Sequence, residues 1–174
     1  MLADRVRMSV AKSDSFPDAQ GYLYDAGRLS EYWDEFTFNN PNDVNCYKES
    51  DNITIQRLGY TFTEGGIITT VPIDFSNINT VKATIRLYNH TGSTGTENLG
   101  GIQIVVADPT EYANYGEYEY YCPMEGNIVY GDLTTLSLDV SDITVTQYLR
   151  LTLTSMGYPI MLDLEAIIYS VWLE

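Results

Sequence analysis

The chain is predicted to be all-β, an antiparallel sandwich or barrel of about eight short strands. Three observations predict this. Apolar residues recur at every second position almost everywhere after Tyr22. Turn-forming Gly, Pro and Asn residues separate those runs, and no segment carries a sustained, capped 3.6-residue apolar stripe. Side chains along a strand point alternately to its two faces, so a period of two marks a half-buried strand. At 174 residues the chain is long enough for one domain with a sizeable core.

Residues 1–20 have weak periodicity followed by Ser/Asp/Pro/Gln/Gly punctuation, and are expected to be an arm or linker ahead of a domain at 21–174. Ile53 and Ile55 alternate with Thr54 and Gln56, and Ile67, Thr69, Val71 and Ile73 share a parity. Val81, Ala83, Ile85 and Leu87 oppose Lys82, Thr84, Arg86 and Tyr88. The pattern returns at Ile102, Ile104 and Val106, at Leu136, Leu138 and Val140, and at Leu149, Leu151 and Leu153. Ile85, Ile104, Leu138, Leu151 and Ile168 are therefore expected to meet in one core. The last run, Leu164 to Leu173, is apolar at both parities, which suits a strand covered on both faces. Asn-Asn-Pro-Asn at 39–42, Glu-Gly-Gly at 64–66, the loop 89–101 and Gly126-Asn127 read as turns.

Charge narrows the partners. The 24 acidic and 9 basic residues give a net charge of −15, a field that repels nucleic acid and anionic membranes. The basic residues are unevenly placed. Arg5, Arg7 and Lys12 cluster in the arm, whereas Arg150 is the only one after Arg86. No apolar run approaches the ~20 residues of a membrane-spanning helix, and the N-terminus lacks the apolar segment of an export signal. The chain is expected to be made in the cytosol. Cys46 and Cys122 lack zinc-type spacing and are expected to be free, buried thiols.

Four segments carry a resemblance. GYLYDAGRLSEYWDEFTF, IDFSNINTVKATIRLY, LTTLSLDVSDITVTQYLRLTLTS and the closing EAIIYSVWLE resemble, in that order, the opening, two Asp–Ser strand starts and the terminal strand of jelly-roll modules in phage and prophage minor structural and tail-fibre proteins. The resemblance covers most of residues 20–174. It implies a galactose-binding-like β-sandwich on a virion, acting without catalysis in assembly and host attachment. Other virion proteins, further copies of the chain and a host-surface glycan are the partners it implies. A free-standing carbohydrate-binding module is the alternative reading. The Tyr-rich stretch near 109–125 departs from the pattern.

That stretch, EYANYGEYEYYCP at 111–123, holds five tyrosines and no cation. Tyr112, Tyr115, Tyr118 and Tyr120 are candidate recognition residues, with subunit contact ahead of sugar stacking and plain sheet covering as the bland reading. Glu117 and Glu119 would stand about 7 Å apart on one strand face, a spacing compatible with glycoside hydrolysis. On an open strand both would be ionised, so no enzyme is expected. His90 sits in a Gly/Thr loop with no nucleophile motif. Asp139 and Asp142 flank the LDVSD turn and are the candidate ligands for a structural calcium, although Asp before Ser is also an ordinary turn former.

Overall fold

The computed structural model describes residues 16–17, 21–38, 44–59, 64–90, 100–107, 119–121, 131–155 and 162–174. The period-two runs become strands in two antiparallel sheets. The first contains β1 (Tyr22–Asp25), β3 (Val44–Lys48), β4 (Ile53–Gly59), β7 (Thr80–Asn89), β10 (Thr134–Asp139) and β12 (Leu162–Leu173), ordered β10-β7-β12-β4-β3 with β1 also on β12. The second contains β2 (Trp33–Phe38), β5 (Glu64–Thr69), β6 (Ile73–Asp74), β8 (Gly100–Ala107), β9 (Glu119–Tyr121) and β11 (Thr146–Ser155), ordered β2-β5-β11-β8-β9 with β6 also on β11. One 3-10 turn, Ser30–Tyr32, precedes β2.

Each sheet is organised by one long central strand. β12 pairs with β7 along one edge, and along the other with β4 up to Ile168 and then with β1. The Leu173 amide donates to the Gly21 carbonyl at 2.9 Å, which closes the β1–β12 ladder. β11 is flanked by β8 on one side and by β5 and β6 on the other.

The two inner faces make one core. Ile85, Ile104, Leu138, Leu151 and Ile168 are all buried in it, as expected. Trp33, fully buried, ties the sheets together by donating its indole N–H to the Leu23 carbonyl at 2.9 Å.

Three local expectations are corrected. The double-parity run in β12 does not mean a strand covered on both faces, because its register shifts between Ile168 and Ser170. Such a bulge swaps the inward parity from Leu164, Ala166 and Ile168 to Val171 and Leu173. Ile167 and Trp172 remain partly exposed on the outer face.

Gly65 and Gly66 are not a turn but lie inside β5. A Cβ on Gly66 would sit 2.0 Å from the Leu151 carbonyl oxygen, and one on Gly65 would sit 2.4 Å from a Val44 methyl. Close approach of neighbours, not a chain reversal, requires glycine there. Val71 is 40% exposed and lies in the bend before β6, so it does not join the face of Ile67 and Thr69.

The free thiol of Cys46 donates to the Gly66 carbonyl at 3.0 Å and so joins the edge of the first sheet to the second. Burial, with the nearby Glu35 charge, pushes this thiol up to about 12. Lys48 reinforces the same seam by donating to the Trp33 carbonyl.

The two Asp–Ser pairs have one physical role. Asp74 Oδ1 accepts the Ser76 amide at 3.0 Å. Asp139 Oδ1 accepts the Ser141 hydroxyl at 2.7 Å and its amide at 3.0 Å, so each forms an Asx turn at a strand end. The Ser141 hydroxyl and amide lower the Asp139 carboxyl below its ordinary value of 3.8. A lowered folded-state value contributes stability above the unfolded value, lost as pH falls through the folded one. Asp139→Asn is therefore expected to lower the urea midpoint at neutral pH and to match the parent well below pH 3.8. A deficit that persisted in acid would remove the carboxylate from the explanation.

Candidate functional site

Cross-strand register builds a platform on the outer face of the first sheet. Tyr47 lies opposite Thr54, Thr54 opposite Ile167, and Ile167 opposite Arg86. A second row runs Asn45, Gln56, Glu165, Tyr88. All eight are outward positions of strands whose alternate residues fill the core, so burial of the apolar set fixes which way they point.

At the β3–β4 end these rows form an open groove of about 460 Å³, lined by Tyr47, Glu49, Asn52, Thr54, Gln56, Glu165 and Ile167. Its polar groups are held in place. Gln56 Nε2 donates to Glu165 Oε2 at 2.6 Å, and Thr54 Oγ1 donates to Asn52 Oδ1 at 3.0 Å. The Asn52 amide nitrogen in turn donates to Asp51 at 2.9 Å and to Glu49 at 3.3 Å. Beyond Glu165, His90 Nε2 stands 4.0 Å from Glu165 Oε1, with its ring stacked on Tyr88 at a centroid distance of 6.0 Å. Tyr47 is 47% exposed at the rim.

The groove combines an aromatic face, an aliphatic floor and a dense set of hydrogen-bonding oxygens and amides. A ligand with both an apolar C–H face and many hydroxyls matches that lining.

The outer face of the second sheet differs. Arg150 is fully buried there, its guanidinium 4.7 Å from the Phe36 ring centroid. Thr152, Gln103 and Val105 beside it are buried as well. Among the described residues, the first sheet supplies the accessible platform.

None of the described candidates from the sequence lines the groove. Tyr112, Tyr115 and Tyr118, the arm residues Arg5, Arg7 and Lys12, and Cys122 lie outside the described residues. Tyr120 is in β9, opposite Ile104 in β8. Asp139 holds its Asx turn, and Asp142 is exposed in the turn that follows. No group of three or more His, Cys, Asp or Glu suited to a metal ion occurs among the described residues. No described helix is long and apolar enough to cross a membrane. The groove itself was missed. Its faint signal was the polar parity of the Ile53 run, Thr54 and Gln56.

No family model matches the chain, and no curated protein matches it. Solved structures do. The family 11 carbohydrate-binding module of Clostridium thermocellum, in complex with a β-1,3-1,4-mixed-linked tetrasaccharide, aligns with a TM-score of 0.51 at 9% identity, over 88% of this chain and 94% of that one. A family 28 carbohydrate-binding module specific for non-crystalline cellulose aligns with a TM-score of 0.52 at 13% identity, over 90% and 93%. The chain has the jelly-roll fold of these modules. Neither structure is a virion protein, so the phage resemblance rests on its sequence motifs alone. At such identities the likeness concerns architecture, and function must be argued from the site.

Proposed function

We propose that the chain is a non-catalytic carbohydrate-binding module whose ligand lies in the groove on the outer face of the first sheet. The observation that carries this reading is Tyr47, half exposed above a lining of positioned amides, hydroxyls and carboxylates. An aromatic face packs against the C–H face of a sugar ring, while Gln56, Asn52 and Glu165 exchange hydrogen bonds with its hydroxyls. Two glutamates in the lining and a net charge of −15 favour neutral or amino sugars and disfavour uronic acids. The jelly-roll architecture supports the reading, since both solved relatives are modules of this kind. The phage motifs add a place of use, attachment of a particle to a glycan-coated host.

Tyr47→Ala tests it by titration calorimetry against mixed-linkage β-glucan, non-crystalline cellulose and mannan. Affinity for the bound glycan is expected to fall about tenfold, about 1.4 kcal/mol, the upper range for one aromatic contact. The melting temperature should stay put, because the ring is at the surface. Unchanged affinity would remove the groove from the reading.

A further inference from the structure

The outer face of β12 continues beyond the groove. Glu165 and Ile167 line the groove, and after the bulge the strand presents Ser170 and Trp172 on the same side, opposite Thr84 and Lys82 of β7. Trp172 also faces Tyr22 across the β1–β12 ladder, their ring centroids 6.2 Å apart and tilted by 41°. Its indole N–H donates to Glu174 Oε1 at 3.0 Å, and Glu174 Oε2 meets Lys82 Nζ at 2.6 Å. The indole is thus tied at one edge while the residue keeps part of its surface in water. The partners of Ile167 and Trp172 on β7, Arg86 and Lys82, stand four residues apart, roughly 13 Å at the usual rise. Between them stand the small hydroxyl side chains Ser170 and Thr84, with the partly exposed Tyr169 at the bulge.

Tyr47 on β3 and Trp172 towards the end of β12, with Tyr169, Ser170 and Thr84 between them, match an extended polymer better than a single ring. We infer that the ligand is an unbranched oligosaccharide lying along β12, with Tyr47 and Ile167 forming one subsite and Trp172 with Tyr22 forming a second, distal one. This rests on the glycan-binding reading and adds to it the length and direction of the ligand. The fixed indole offers its stacking face without rotamer loss. A disaccharide fills one subsite, whereas a hexasaccharide reaches both.

The two tryptophans make the test direct, because Trp33 is fully buried and Trp172 is not. Acrylamide quenching of intrinsic fluorescence therefore reports on Trp172. Mixed-linkage β-glucan hexasaccharide, cello-hexasaccharide and manno-hexasaccharide are compared with the matching disaccharides. A hexasaccharide that binds should shield Trp172 from acrylamide, and its disaccharide should not. Trp172→Ala should lower hexasaccharide affinity by up to about tenfold and leave disaccharide affinity unchanged, whereas Trp172→Phe, which keeps a ring, should retain most of it. Hexasaccharide binding that is weakened by Tyr47→Ala while Trp172 stays fully quenchable would overturn the second subsite and leave the groove standing. Failure of every probe to bind would overturn both.

Discussion

Trp33→Ala is expected to lower the stability of the domain by about 3–5 kcal/mol, which corresponds to roughly 6–20 °C in melting temperature for a chain of this size. Trp33 is the largest of the fully buried side chains and opens β2, the outermost strand of the second sheet in the described order. Removing the indole leaves a void that edge strands on either side close only in part. It also removes the donor to Leu23 in β1, which belongs to the other sheet. The variant thus loses packing and a link between layers together. Trp33→Phe separates the two, since it keeps most of the apolar volume but leaves the Leu23 carbonyl without the indole, at a cost of about 1–3 kcal/mol. Urea unfolding followed by far-ultraviolet circular dichroism measures both. A loss below about 1 kcal/mol in the alanine variant would mean the layers do not depend on this residue.

Gly66→Ala is expected to cost about 3 kcal/mol or more, at the upper end of overpacking effects. The added methyl would meet the Leu151 carbonyl oxygen at 2.0 Å and the Thr152 Cα at 2.9 Å. Both belong to the backbone of β11, which pairs on both sides and cannot step away without breaking a ladder. Gly65→Ala makes an instructive contrast, because there the obstacle is the Val44 side chain. Adding Val44→Ala removes the two methyls but keeps the Val44 Cβ at 2.8 Å, so it should rescue Gly65→Ala in part and leave Gly66→Ala unimproved. Equal rescue of both would contradict the assignment of the second clash to backbone.

The core was legible because its strands have one dry face. Val81 to Leu87 and Leu149 to Leu153 alternate strictly, and a slip of one residue would put every isoleucine and leucine in water. Gly65 and Gly66 misled, since glycine serves both reversal and close approach and only the neighbours tell them apart. β12 misled for a related reason, as a bulge changes parity without changing composition.

The groove was harder still. Gln56 and Glu165 are 109 residues apart, and their hydrogen bond depends on β4 pairing with β12. Nothing in a single sequence states that pairing. The tyrosines at 111–123 form a dense run in the sequence, whereas the groove contributes one tyrosine and several ordinary polar residues.

The ladder between β1 and β12 also sets how the domain carries mechanical load. Tyr22 pairs with Trp172 and Asp25 with Ser170, so residues 21 and 174 emerge side by side. Force pulling those two points apart would peel β1 away from β12 one hydrogen bond at a time, and such a seam yields early. Force between Ile167 and Glu174 follows a different route. It runs along the axis of β12, whose nearly extended backbone carries it covalently, so no ladder is peeled. A domain anchored through residue 174 and pulled through a ligand on the β12 face would therefore resist along its strong direction.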